Sequence, residues 1–470
     1  MRGSLFSLIF LVLILLGGVN GHARIFIDIN SPSAKKFAVA IPDFRNESPQ
    51  SGSPEFAAGL AQIISNDLDL SGYFSPMDKG AFLEGGNTGE DSVNFKNWSV
   101  IGTELLVKAS YACVGQSLEL DLKLYDVYWG RQILGKRVLG ETRNHRELMH
   151  RLSNDIIRLL TGSDGIAMTR LAFVGDATKN KEIYISDYDG QKAKQLTSDK
   201  SIVLSPRWSP DGKRIIYNSY KDNKGPRLYM RDLRAGAVKT ISGRPGLNIG
   251  ATWSPEGNRV ALTLTEKGNS DIFLIDLNGN IVKQLTDHWA IDVSPSFSPD
   301  GSKMAFVSNR AGGTPQIYVM TISDGSVERI TFESKYCTSP SWSSRNRIAF
   351  ASQSNGALDI YTIAPDGSQM RRVTSGTRDN EDPCWSPDGR YIVFSSNRTG
   401  RYRLFLTNET GDNQRMITNL PGNQTAPSWT QIPLGGYLLI NRIKCVIKEI
   451  FPLGKRIFQL LVEEHIDYFR

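Results

Sequence analysis

Trp208-Ser209-Pro210-Asp211-Gly212 returns as Trp253-Ser254-Pro255-Glu256-Gly257, Phe297-Ser298-Pro299-Asp300-Gly301, Trp342-Ser343-Ser344 and Trp385-Ser386-Pro387-Asp388-Gly389, with a partial copy at Trp429-Thr430. The leading aromatics are spaced by 45, 44, 45, 43 and 44 residues. Recurrence at such a period points to a ring or stack of repeated units, each too small to bury its own apolar face. A second aromatic series, Tyr184, Tyr229, Phe273, Tyr318, Tyr361 and Phe405, keeps the same spacing. Between the two series lie β-runs such as Arg214-Ile215-Ile216-Tyr217 and Tyr391-Ile392-Val393-Phe394. Each repeat closes on a pair: Leu196-Thr197, Ile241-Ser242, Leu285-Thr286, Ile330-Thr331, Val373-Thr374 or Ile417-Thr418. Short strands repeating in fours at this period predict the blades of a β-propeller.

The residue types in the repeat have physical roles. Pro presets φ for the first turn position, Asp bonds nearby backbone and Gly accepts positive φ, so Ser-Pro-Asp-Gly folds the first strand back onto the second. The aromatic before the turn is expected to bury its ring against the next blade, where truncation to Ala costs about 3–5 kcal/mol. Leu171-Ala172-Phe173-Val174 and Glu182-Ile183-Tyr184-Ile185 match second and third strands, but no Trp-Ser-Pro strand precedes them. The unpaired strand ending at Trp429 supplies the missing one, which closes the ring at six blades and leaves no open sheet edge.

The expected fold is therefore mainly β: a six-bladed β-propeller closed by the C-terminal strand and preceded by a small α+β domain. Met1-Arg2, the apolar run from Leu5 to Leu16 and the small-residue site Gly21-His22-Ala23 read as a cleavable signal peptide over residues 1–23. The run is shorter than the about 20 residues that span a bilayer, and no Cys follows it to hold a lipid anchor. The mature chain is expected to be exported, with no membrane span of its own. Residues 24–161 form the N-terminal domain, with a strand at Phe37-Ala38-Val39-Ala40-Ile41, a helix from Glu55 to Leu70 and three β-runs near 104–113, 118–125 and 132–138. A second helix runs from Arg143 to Leu160. Residues 162–166 read as a linker, 167–430 as the propeller and 431–470 as an atypical tail. Arg24-Ile25-Phe26-Ile27-Asp28-Ile29-Asn30 has Ile at every second position. It is either the domain's first strand or a detachable strand that pairs with a partner's sheet edge.

Composition narrows the function. Lys+Arg 55 against Asp+Glu 48 gives +7 over 470 residues, with no long block of like charge, which argues against nucleic acid. Cys113, Cys337, Cys384 and Cys445 show no C-x-x-C pairing; Cys337 and Cys384 sit at different repeat positions and read as separate thiols. The five His are scattered, so no metal cluster is implied, and Asp187-Tyr188-Asp189-Gly190 lacks the later ligands of a calcium loop and reads as a turn. Only 41 residues follow Trp429 and none forms a Gly-x-Ser-x-Gly elbow. No cofactor is expected, and the protein is read as a monomeric docking platform; a propeller-type hydrolase or lactonase is the alternative.

Loops around a rigid disc are where binding is expected. The fourth-to-first strand loops read as Leu247-Asn248-Ile249-Gly250-Ala251, Ile291-Asp292-Val293-Ser294, Ser334-Lys335-Tyr336-Cys337-Thr338 and Arg378-Asp379-Asn380-Glu381-Asp382. The second-to-third loops, with Asn309-Arg310 and Asn397-Arg398, open on the same face. Ile249, Ile291 and Tyr336 are the candidate apolar anchors within polar rims.

The mature start Arg24-Ile25-Phe26-Ile27-Asp28, the junction from Leu160-Thr161-Gly162 to Thr169-Arg170-Leu171-Ala172-Phe173-Val174, the Ser186-Asp187-Tyr188-Asp189-Gly190 turn and closure through a final Trp together resemble the TolB family, periplasmic components of the Tol-Pal system. The resemblance implies that the propeller binds the lipoprotein Pal at its channel mouth, through loop residues among Leu247, Asn248, Ile249, Gly250, Ala251, Ile291, Asp292, Val293, Ser294, Tyr336 and Asn380. It also implies that Arg24, Ile25, Phe26, Ile27 and Asp28 bind a TolA-like inner-membrane protein, which favours the detachable-strand reading. The loops before Trp253 and Phe297 match family contact loops in position but not in residues. The tail departs from the family: Tyr437-Leu438-Leu439-Ile440, Lys444, Lys448, Lys455 and Arg456 read as an amphipathic segment or as a read-through end, with Pro433 and Pro452 interrupting any long helix.

Overall fold

A computed structural model of the chain describes residues 36–48, 53–83, 93–222, 225–266, 268–354, 356–376 and 378–430. The expected signal peptide, the expected strand at Arg24–Asn30 and the tail 431–470 lie outside the described residues. The chain divides into two compact units between Ala167 and Met168.

The first unit is a sheet covered by helices. Its strands are β1 (Phe37–Ala40), β2 (Arg45–Asn46), β3 (Phe74–Pro76), β4 (Leu105–Val114), β5 (Ser117–Asp126) and β6 (Arg131–Glu141), in the order β3-β1-β4-β5-β6 with β2 also on β4. β1 runs parallel to both neighbours, whereas β4, β5 and β6 form an antiparallel meander. Helix α1 (Pro54–Leu70) begins where the Ser53 hydroxyl accepts from the Phe56 N–H at 3.3 Å, with Pro at its first position. The short α2 (Phe95–Val100) seats Trp98, and α3 (His145–Thr161) ends on Gly162 at φ +72°. Leu60, Ile64 and Leu68 of α1 and Leu152 and Ile156 of α3 share one core with Leu120, Leu122 and Leu124 of β5. The two long helices are also joined by a buried polar pair, His150 Nδ1 lying 2.8 Å from Asp67 Oδ2.

The long elements match those expected from apolar spacing. The second long helix starts at His145 instead of Arg143, because Thr142–Asn144 form a separate tight turn. β2, β3 and α2 carry too few residues to show a period. Residues read as a linker run back along α3: Ile166 is buried and the Ala167 N–H donates to Asn154 Oδ1 at 3.2 Å.

The second unit is the propeller. Its first blade contributes β7 (Arg170–Gly175), β8 (Glu182–Asp187) and β9 (Lys194–Gln195). The next holds β10 (Val203–Trp208), β11 (Arg214–Ser219), β12 (Arg227–Asp232) and β13 (Val238–Ser242); the third β14 (Asn248–Trp253), β15 (Arg259–Leu264), β16 (Asp271–Asp276) and β17 (Ile281–Gln284). The fourth holds β18 (Asp292–Phe297), β19 (Lys303–Ser308), β20 (Gln316–Thr321) and β21 (Val327–Arg329); the fifth β22 (Cys337–Trp342), β23 (Ile348–Ser354), β24 (Ala357–Ile363) and β25 (Arg371–Arg372). The sixth holds β26 (Asn380–Trp385), β27 (Tyr391–Ser396), β28 (Arg403–Asn408) and β29 (Arg415–Met416), and β30 (Gln424–Trp429) returns to the first blade. Among the described residues this gives six four-stranded sheets, the last in the order β30-β7-β8-β9. Gln424 pairs with Gly175 and Trp429 with Leu171, and the innermost strand β30 neighbours both β26 and β10, so the ring is closed by the chain's far end.

The repeated residues build this geometry. In the first Ser-Pro-Asp-Gly turn the Ser209 hydroxyl donates to Asp211 Oδ1 at 2.5 Å, and Gly212, at φ +66°, sends its N–H to the Ser209 carbonyl at 2.9 Å. The Trp rings turn towards the preceding blade, not the next. The Trp253 indole N–H donates to the Arg207 carbonyl at 3.1 Å and its ring packs with Ile216, Leu228 and Ile241. Trp385 likewise reaches the Ser341 carbonyl at 3.0 Å. Trp253 and Trp385 end innermost strands, which places their indole N–H groups beside the carbonyls of the preceding blade's innermost strand. The closing Thr is a clamp: Thr197, Thr286, Thr331, Thr374 and Thr418 each accept from a strand-three N–H at 2.9–3.0 Å. Asp187 to Gly190 form a tight turn, and Cys337 and Cys384 are free thiols.

Candidate functional site: the channel mouth

Each innermost strand begins at one end of the ring, and the residues just before it form the channel mouth. In register these are Ile202, Leu247, Ile291, Tyr336, Asp379 and Asn423. The first four, on consecutive blades, are exposed apolar side chains. Trp289 and Phe332, in neighbouring stretches of the same loops, are 72% and 67% exposed. Together they make an apolar arc over blades two to five. Their backbones are held from below: the Leu247 N–H donates to Thr265 Oγ1 and the Ile291 N–H to Asn309 Oδ1, both at 2.9 Å, and the Tyr336 carbonyl accepts from Gln353 at 2.9 Å.

The other two positions turn inward. Asp379 accepts from the Leu358 N–H at 3.1 Å and from Asn397 Nδ2 at 3.3 Å. Asn423 accepts from the Tyr402 N–H at 3.0 Å and donates to Asp176 Oδ2 at 2.8 Å. Beside them the Glu381 carboxyl is pushed up by burial, although it accepts from the Tyr402 hydroxyl at 2.9 Å.

Several residues expected in binding loops are instead strand residues. Asn248, Ile249, Gly250 and Ala251 belong to β14, Asp292, Val293 and Ser294 to β18, and Asn380 to β26. Asn248, Asp292 and Asn380 are wholly buried, and Ala251 nearly so. Asn248 Oδ1 accepts from the Ser242 hydroxyl at 2.6 Å, and its Nδ2 donates to the Arg244 carbonyl at 2.8 Å. Asp292 accepts from Arg310 Nη2 at 2.8 Å, the guanidinium lying over Phe306 and Tyr318. Asn380 accepts from Arg398 Nη2 at 2.8 Å, and that guanidinium lies over Phe394 and Phe405. These three side chains are brackets that shape the mouth from within. Ile249 and Val293 are half-buried, leaving Leu247, Ile291 and Tyr336 as the surface members of the expected set.

Gly250 and Ser294 mark a feature common to the ring. The third residue of every innermost strand has positive φ, from +51° to +63°, at Ser205, Gly250, Ser294, Ser339, Asp382 and Ala426. The pairing register shifts there in all six blades, a bulge repeated around the ring. Sequence reading missed Ile202, Trp289 and Phe332; counting six residues back from Trp208 would have placed Ile202 beside Leu247. Among the described residues no three His, Cys, Asp or Glu converge where they could hold a metal ion.

A closed six-bladed ring of Trp-Ser-Pro-Asp-Gly repeats, following a small α+β unit in the chain, defines one class of β-propeller protein. The chain belongs to the TolB family: the model of the TolB β-propeller domain matches residues 157–433, and that of the TolB amino-terminal domain residues 25–133. The crystal structure of TolB from Acinetobacter baumannii is similar over 87% of this chain and all of its own, with a TM-score of 0.73 and 26% identity. The Tol-Pal system protein TolB of Syntrophotalea carbinolica is 37% identical over 195 residues, which is 40% of this chain and 45% of the relative. That of Geobacter sulfurreducens is 35% identical over 191 residues, 41% of this chain and 44% of the relative. The matched stretch thus spans a little under half the length of these curated relatives.

Proposed function

We propose that this chain is an exported, non-enzymatic docking protein of the Tol-Pal system in the periplasm, supporting outer-membrane integrity and cell division. Its propeller mouth binds the lipoprotein Pal, and Arg24, Ile25, Phe26, Ile27 and Asp28 bind a TolA-like inner-membrane partner. The apolar arc at the mouth supports this reading most directly. Apolar side chains held out on four consecutive blades form the desolvatable centre that protein interfaces use. Leu247, Ile291 and Tyr336 are the members of the expected set that lie in this arc, with Asn248, Asp292 and Asn380 acting by holding loop shape.

The test is capture from envelope extract with the mature protein. Pal should be retained, and deleting Arg24–Asn30 should remove the TolA-like partner alone. Loss of both partners, or of neither, would refute the division of labour between the two regions.

A further inference from the structure

Below the mouth lies a cavity of about 330 Å³, lined by the lower halves of the innermost strands and the turns that follow them. The fifth residue of each innermost strand faces it: Arg207, Thr252, Ser296, Ser341, Cys384 and Ser428. Five are small and one is Arg. The third residues form the layer above, and of Ser205, Gly250, Ser294, Ser339, Asp382 and Ala426 only Asp382 is charged. A sixfold repeat that keeps small side chains at two layers has admitted one cation and one anion. Both line the same cavity, with a single blade between theirs.

Neither charge has an ion-pair partner among the described residues. Asp382 accepts from the Ser339 hydroxyl at 3.3 Å and the Ala426 N–H at 3.2 Å, while Arg207 Nη1 donates to the Pro206 carbonyl at 2.9 Å. The two feel one another electrostatically without touching. A charge withdrawn from bulk water into a protein wall is costly unless a counter-charge or hydrogen bonds meet it. An object bearing both signs, placed between them, meets both.

We propose that the lower channel binds a small zwitterion, a free α-amino acid or a short peptide with both ends free, its carboxylate on the Arg207 guanidinium and its ammonium on the Asp382 carboxylate. A planar guanidinium suits a carboxylate, forming two parallel hydrogen bonds. The ring of Ser and Thr hydroxyls supplies further donors and acceptors for peptide groups. The volume lies at the lower end of the roughly 300–1,000 Å³ typical of ligand pockets, which matches a molecule of a few residues and excludes a folded chain.

The experiment uses the full chain with nitrogen-15 in its Trp side chains. Glycine or triglycine should produce saturable shifts of the indole signals of Trp208, Trp253, Trp342, Trp385 and Trp429, which line the cavity, and none at Trp98 in the other unit. Which of the two binds more tightly separates the amino-acid source from the peptide source. Acetate and methylammonium, each with half the charge pattern, should bind at least about tenfold more weakly. Arg207→Gln and Asp382→Asn should each weaken zwitterion binding by about tenfold or more. Acetate binding as tightly as glycine, no saturable shift with either zwitterion, or unchanged binding in both variants would overturn the proposal. Should a variant fail to fold, the comparison of zwitterion with half-charged probes on the unaltered protein decides alone.

Discussion

The two sides of the channel mouth are built on the same repeat and do opposite things with one position. On blades two to five the residue before the innermost strand is Ile202, Leu247, Ile291 or Tyr336, and its side chain stands in solvent. On the next two it is Asp379 or Asn423, and its side chain bonds to adjoining loops. A polar side chain there can satisfy backbone groups of its neighbours, whereas an apolar one cannot and is left outside. The repeat specifies everything beneath; the chemistry of this one position decides whether a blade offers surface or only structure.

The strongest way to break the comparison is to remove the scaffold both sides share. Trp385 is buried against the preceding blade and bonded to the Ser341 carbonyl. Trp385→Ala should lower unfolding free energy by about 3–5 kcal/mol in denaturant titrations, taking both sides of the mouth with it. Next in size is Asp292→Ala, which leaves the partly buried Arg310 guanidinium without its carboxylate. Allowing for Arg310's partial exposure, about 2–3 kcal/mol should be lost, with Arg310→Ala adding little more in the double variant. A stable Asp292→Ala protein that fails only in partner capture would return Asp292 to the contact set.

The ring and its closure were legible because periodicity survives in sequence: six aromatics in one series and six in another impose one register. The first unit's long helices were legible for the same reason at a shorter period. What escaped was the boundary between loop and strand at the mouth. Asn248, Asp292 and Asn380 look like turn residues, since polar side chains before a Trp-Ser-Pro strand usually mark a loop. Their burial depends on partners far along the chain, such as Arg310 eighteen residues beyond Asp292 and Arg398 eighteen beyond Asn380. The ring's bulge was equally hidden, because Ser, Gly, Asp and Ala share its backbone conformation without sharing a residue type.

The comparison is sharpened by changing only the exposed position. Ile291→Asp and Tyr336→Asp should shift stability by no more than about 0.5 kcal/mol, since neither side chain is buried. Each should weaken capture of the partner at the mouth by about 1–2 kcal/mol, roughly five- to thirtyfold in Kd. Asp379→Ala should do the reverse, costing about 1 kcal/mol of stability through its lost hydrogen bonds while capture persists. Equal losses of capture from both sides would show that the apolar arc is not the contact.

The smallest effect concerns Asp382, whose burial in the channel wall pushes its carboxyl above the usual value of 3.8, with Arg207, the Ala426 N–H and the Ser339 hydroxyl pulling it back. A raised carboxyl keeps its proton longer in the folded chain than in the unfolded one. Above the folded value the native state bears an ionised, poorly solvated carboxylate. As pH falls through that value towards 3.8 the folded chain takes up the proton first, and its contribution to stability improves. Asp382→Asn, which keeps an acceptor for Ala426, should therefore be more stable than the unaltered protein at pH 7, with the gap closing as the pH approaches 4. Arg207→Gln removes the counter-charge that lowers the Asp382 carboxyl most, leaving Lys181, and should steepen the same slope. Denaturant midpoints measured across that range decide it: parallel curves for all three proteins would mean that Asp382 is well solvated in the channel and that its lone charge costs the fold nothing.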